Sequence, residues 1–217
     1  YLRRDLDPDL RNRSMLVHPS RLVASHHQFF LWVRAIVNQW HDLLGENSDR
    51  QDREDLLEEF RTTYEDLADT VQDLESFETL VQRLKFVLRR VNVRELNSET
   101  ELREVQWSQP YWILVGGTVL DRGYTVQGLT ITYMPRGRGV GNADTIQQRA
   151  RFLGYKRKYV GFCRVFLEQQ VATAYSSYVE HEESIRSRLQ EFADGGVPLR
   201  QLRRLFICDR NLRPTRQ

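Results

Sequence analysis

The chain has 217 residues, 40% of them hydrophobic and 29% charged, with a formal net charge of only +2. That is enough apolar content for one large α/β core, or for a compact domain carrying an inserted helical piece, and too little net charge to argue by itself for nucleic acid. Two cysteines, Cys163 and Cys208, do not make a disulfide framework, and no His/Cys cluster has metal-ligand spacing, so a structural zinc site is not expected.

The chain opens at Tyr1 on a polar stretch with no signal peptide, and it reads as a piece of a longer protein. Residues 14–18 (S-M-L-V-H) are a short apolar run, expected as a buried strand. Pro19 and Ser20 break it and can open a helix. Over residues 25–44, Phe29, Phe30, Trp32, Val33, Ile36, Val37 and Trp40 recur at helical spacing. This predicts an amphipathic helix with a broad apolar face, its aromatic stripe Phe29, Trp32 and Trp40 lying in the core. Residues 46–78 crowd acids such as Asp52, Glu54, Glu58, Glu59 and Glu65, while Leu56, Leu57, Phe60, Tyr64, Leu67 and Val71 keep helical spacing. One or two helices inserted between core strands are expected there, with the acidic surface turned away from any nucleic-acid backbone. Helix continues over 77–89, so the insertion covers residues 46–90.

Residues 91–96 alternate like a strand. Residues 97–108 form a polar connection. Strands are expected over 111–115, 129–134 and 160–167, with a helix over 143–152 between the last two. A helix over 169–192, a break at Gly195-Gly196 and a short helix over 198–208 end the chain. The expected fold is α/β: a single domain over residues 1–217 with a mostly parallel sheet flanked by helices. In such sheets functional loops lie outside the carboxyl ends of the strands, here after His18, Val115 and Met134. No apolar run is long enough to span a bilayer, so no membrane partner is expected, and with only two cysteines a reducing cytoplasm is the expected location.

Two strings can carry chemistry. Residues 116–130 (G-G-T-V-L-D-R-G-Y-T-V-Q-G-L-T) follow a buried strand directly. Paired glycines let backbone approach a phosphate, and Asp121 and Arg122 sit on a tight loop ended by Gly123. An ordinary glycine-rich turn is the plainer reading of the glycines alone. Residues 144–159 (D-T-I-Q-Q-R-A-R-F-L-G-Y-K-R-K-Y) place Gln148 and Arg151 three apart, on one face of the expected helix. Together they can hold an attacking water and neutralise a γ-phosphate, because charge spreads over the phosphoryl oxygens in the transition state. A solvated basic helix is the plainer alternative.

Together these strings resemble the Z-one domain family, described as an endonuclease domain and related to superfamily-two helicases. The resemblance rests on Gly116-Gly117, Arg122-Gly123, Thr125, Asp144-Thr145, Gln148, Arg151 and Gly154-Tyr155-Lys156, with the S-M-L-V-H-P-S of residues 14–20 similar to the family's start. It implies the C-terminal, RecA-like lobe of a helicase-type, DNA-dependent ATPase of a bacterial restriction or anti-phage system. Arg151 and Gln148 would be catalytic. Gly117, Asp121, Arg122, Gly123 and Lys156 would contact nucleotide. His18, Ser20, Gly116, Thr118, Thr125 and Arg138 would contact nucleic acid. Three positions depart from the family pattern: Lys156 stands where the family has Arg, Ala150 replaces a Gly, and Asp121 replaces a small hydroxyl residue. Lys156 cannot make the planar bidentate contact of an arginine.

No G-x-x-x-x-G-K-[ST] string and no magnesium-binding Asp-Glu pair after an apolar strand occurs in these residues. ATP and Mg²⁺ are therefore expected only with a first RecA-like lobe supplied from outside this stretch. Partners would be DNA, that lobe and a nuclease subunit. Two alternatives stay open: a metal-dependent DNA endonuclease, for which no carboxylate constellation is visible, and a non-catalytic module whose acidic helices dock a nuclease subunit. His18, His26, His27, His41 and His181 form no ligand set. Gly137–Gly141 reads as a flexible loop, and the Arg-rich tail from Arg200 to Arg216 as a solvated charge run.

Overall fold

The structure, a computed structural model, describes residues 12–20, 22–45, 48–96, 107–117, 126–135, 156–157 and 159–196. Packing divides the chain into two compact units, Tyr1–Met134 with Phe152–Phe166, and Pro135–Arg151 with Leu167–Gln217. The expected helices over 143–152 and 198–208 lie outside the described residues.

In chain order the elements are β1 (Arg13–Val17), α1 (Val23–Leu43), α2 (Arg50–Ala68), α3 (Phe77–Arg90), β2 (Val91–Leu96), β3 (Tyr111–Gly116), β4 (Leu129–Met134), β5 (Arg164–Leu167) and α4 (Gln169–Asp194). The five strands form one parallel sheet in the order β2-β3-β1-β4-β5. The α/β expectation therefore holds.

Strand β3 shows why the sheet is buried on both faces. Trp112 and Leu114 point into one core with Leu16, Leu96 and Leu129. Ile113, between them, packs on the opposite core of Val37, Leu44, Leu56 and Leu88. Successive strand side chains alternate faces, so a strand covered on both sides must read as a continuous apolar run, as Y-W-I-L-V does.

The acidic stretch supplies α2 and α3. Asp49 caps α2, its carboxylate accepting from the N–H groups of Gln51 and Asp52 at 2.9 and 3.2 Å. Ser76 caps α3, its hydroxyl accepting from Thr79 N–H at 3.3 Å. Such caps satisfy donors that the helix itself leaves free. Helix α3 runs straight into β2 at Val91. Leu56 of α2 and Leu88 of α3 share the core beneath α1, while the acids of α2 face outward.

The aromatic stripe of α1 needs correction. Trp40 packs edge-on against Phe60 of α2, ring centroids 5.1 Å apart. Trp32, however, is 52% exposed and Ile36 43%. Helix α1 lies against one layer only, through Val33, Val37, Trp40 and Leu44. Trp32 and Ile36 lie on the flank of that face, and the half-buried Phe29 ring meets Trp32 there, ring centroids 5.0 Å apart. One layer cannot bury so broad an apolar arc.

The expected strand over 160–167 is also shorter. Val160–Phe162 forms a 3-10 turn, and β5 starts at Arg164. The turn is tied to the end of α2: Thr70 Oγ1 donates to Gly161 O at 2.8 Å, and Arg164 spends its guanidinium on Asp66, Thr70, Gly161 and Cys163. Helix α4 extends over the expected 169–192 and ends by Gly195-Gly196, Gly196 adopting φ +64°. At the entry to β4, Gly128 has φ +62° and lies against the Asn12 carbonyl, so only glycine fits.

Candidate phosphate-binding crevice

The sheet order places a crevice. From β1 the chain leaves toward β2, past β3; from β4 it leaves toward β5. Connections that diverge from neighbouring strands open a gap outside their carboxyl ends, where ligands of such folds bind. The residues there are His18-Pro19-Ser20 after β1 and Gly116-Gly117 at the end of β3.

His18 is almost fully buried and continues β1, its N–H donating to Tyr133 O at 2.8 Å. Since Val17 is in register with Val115, His18 lies alongside Gly116. Ser20 then turns the chain into α1, its hydroxyl accepting from Leu22 N–H at 3.0 Å. The Ser20 carbonyl accepts from His26 Nε2 at 2.9 Å. That bond fixes the proton on Nε2 and leaves Nδ1 as a buried acceptor with no partner among the described residues. The same Nε2–Cε1 edge of the His26 ring faces Gly117. A Cβ on Gly117 would fall 2.5 Å from Cε1 and 2.6 Å from Nε2 of His26, and 3.2 Å from Ser20 O. Gly117 therefore lets β3 end against the first turn of α1.

Unlike α2 and α3, α1 has no side-chain cap, and its first turn holds no acid. A helix start carries unpaired N–H groups and partial positive charge, which suits a phosphate oxygen. The crevice can thus hold an anion through backbone donors.

Of the residues singled out from the sequence, the structure brings together His18, Ser20, Gly116 and Gly117. Lys156 is not with them. It lies beside Cys163, just before β5, and Cys163 also neighbours Arg13 at the start of β1. That is the amino-terminal edge of the sheet, one strand length, roughly 16 Å, from the crevice. Burial there pushes the Lys156 ammonium below its usual range, against a weaker opposing pull from Cys163. Burial pushes the Cys163 thiol up, with Lys156, Arg13 and Arg164 acting against the shift. Thr118, Asp121, Arg122, Gly123, Thr125, Arg138, Gln148 and Arg151 lie outside the described residues. Reading the sequence missed His26, because its role depends on meeting Gly117, which lies 91 positions away.

Among the described residues no group of three or more His, Cys, Asp or Glu side chains is arranged to hold a metal ion. None of the described helices is long and apolar enough to cross a membrane. No curated protein and no solved structure matches the chain. The family model of the Z1 domain does match, over residues 2–205. With that match covering nearly the whole sequence, the chain belongs to the Z1 domain family.

Proposed function

We propose that this chain is the second, RecA-like lobe of a DNA-dependent ATPase of the superfamily-two helicase type, working in a bacterial restriction or anti-phage system. The observation that carries the reading is the crevice at the carboxyl ends of β1 and β3, where Gly117 closely approaches the uncapped start of α1, whose free N–H groups suit a phosphate. The order of strings along the chain supports it: the β1 segment, then Gly116–Thr130, then Asp144–Tyr159.

In this reading His18, Ser20, Gly116, Thr118, Thr125 and Arg138 follow a nucleic-acid backbone, and Gly117, Asp121, Arg122 and Gly123 border the nucleotide. Gln148 orients the attacking water and Arg151 neutralises charge on the γ-phosphoryl oxygens. ATP supplies the phosphoanhydride whose cleavage drives the cycle. Lys156 is left out of the nucleotide set, because it sits at the other edge of the sheet. The G-x-x-x-x-G-K loop and the Mg²⁺ ligands come from the other lobe, since this chain has no such loop. The outward acids of α2 are the surface offered to a nuclease subunit.

Reconstitution tests the reading. The chain alone should not turn over ATP. Joined to a lobe of the same protein that carries a phosphate-binding loop, it should hydrolyse ATP with stimulation by DNA. DNA cleavage by the isolated chain with Mg²⁺ or Mn²⁺, lost on carboxylate substitution, would replace this reading with the endonuclease one.

A further inference from the structure

On the other end of the sheet, α1, the end of α3 and the starts of β2 and β3 enclose a groove of about 630 Å³. Three arginines line it: Arg34 from α1 and Arg89 and Arg90 from α3. So do three carboxamides, Asn38, Asn92 and Gln109, and there is no acid in the lining. Its size is that of a small-ligand pocket or of a few nucleotides of a strand.

The way the arginines are held is informative. Elsewhere in the same unit Arg50, Arg61, Arg83 and Arg164 face carboxylates. In the groove none does among the described residues. Arg34 lies over the Phe30 ring at 5.5 Å, Arg90 over Phe86 at 4.2 Å, and Arg89 Nε donates to His41 Nε2 at 3.1 Å. An aromatic face or an imidazole nitrogen that accepts a hydrogen bond restricts a guanidinium without cancelling its charge. The Asp42 carboxylate, beside His41 in sequence, is turned to His41 Nδ1 at 3.3 Å and is 81% exposed. Arg89 and Arg90 also sit in the last turn of α3, where cations suit the helix dipole. That accounts for those two, but not for Arg34 on a different helix, nor for three amide side chains without hydrogen-bond partners among the described residues.

We infer that this groove binds the phosphodiester backbone of a nucleic-acid strand, at a site separate from the carboxyl-end crevice. Fixed, unneutralised guanidiniums take phosphate oxygens, and each contact releases counterions. The carboxamides can donate to and accept from base edges or sugar. Arg34 stands eight residues along α1 from His26, about 12 Å, so a strand in the groove would run toward the crevice along one helix.

The test uses the whole chain without nucleotide, with fluorescence anisotropy of a labelled single-stranded DNA oligonucleotide across a salt series. Arg34→Gln with Arg90→Gln keeps both side-chain stems and removes two charges. The pair should weaken binding on the order of tenfold at low salt and reduce the slope of log K against log salt by about 1.4, from about 0.7 per lost contact. The variant should stay folded, with a Tm lower by no more than a few degrees from the lost helix-end charge. Unchanged affinity and slope in the folded double variant overturns the inference. So does arginine-dependent binding of inorganic pyrophosphate with no binding of the oligonucleotide, which would make the groove a small-phosphate site. The inference stands apart from the ATPase reading: arginine-dependent strand binding without ATP turnover in the reconstituted protein keeps the groove and removes the motor.

Discussion

Gly117 ends β3 against the ring of His26, with no room for even one carbon between them. His26 in turn holds the Ser20 carbonyl, so three chain segments meet at one imidazole. Gly117→Ala must displace the ring or the strand end, at a cost of about 1–3 kcal/mol for overpacking. Removing the ring as well, in Gly117→Ala with His26→Ala, should cost less than the sum of the single changes, with a coupling of about 1 kcal/mol or more. His26→Gln keeps a donor for Ser20 and should be milder than His26→Ala. Denaturant unfolding measures all four variants; additive single effects would show that the two residues do not meet.

The exposed stripe on α1 separates two tryptophans that look alike in the sequence. Trp32→Ala should change stability by no more than about 0.5 kcal/mol, whereas Trp40→Ala, which vacates the contact with Phe60, should cost roughly 2–3 kcal/mol. Equal losses in thermal unfolding would mean that both rings are core.

These two cases also mark what the residues reveal before folding. The strand Y-W-I-L-V is legible because both of its neighbours' faces are covered and every position must be apolar. The helix around Trp40 is legible from its period. Which arc of α1 is buried is not, since the arc is wider than the single layer of α2, α3, β2 and β3 beneath it. The meeting of Gly117 with His26 and the arginine groove depend on the parallel register, which local sequence does not carry. The end of the sheet to which Lys156 belongs was hidden for the same reason.

Arg164 uses all five of its N–H donors, counting two bonds from each terminal nitrogen, to join the start of β5 to the end of α2. Arg164→Lys retains the charge but cannot reproduce the fork, and should cost about 1–3 kcal/mol. Asp66→Asn should cost less, because the Asp66 side chain is 62% exposed and most of the Arg164 bonds go to backbone and hydroxyl oxygens. The opposite ranking in urea unfolding would show that the ion pair, not the network, holds α2.

Tyr178 of α4 donates to Glu182 Oε1 at 3.0 Å. Burial, then that hydrogen bond and the carboxylate charge, push its phenol from 10.0 up to about 12. A phenol whose folded pKa is raised stabilises the fold fully below its unfolded pKa, and the contribution is lost as pH rises from about 10 to about 12. Ultraviolet titration of the phenolate should therefore find one tyrosine ionising near 12 in the native chain, and Glu182→Gln should lower its pKa toward the ordinary value. An unaltered titration in Glu182→Gln would remove the carboxylate as a cause.

In the proposed function, this Z1 domain completes an ATP site with Arg151. The most direct measurement is DNA-stimulated ATP turnover by the full-length protein with Arg151→Ala. A loss in kcat of about 10³-fold or more, with DNA binding and Tm retained, is the expected result. Wild-type turnover by that variant would contradict the account.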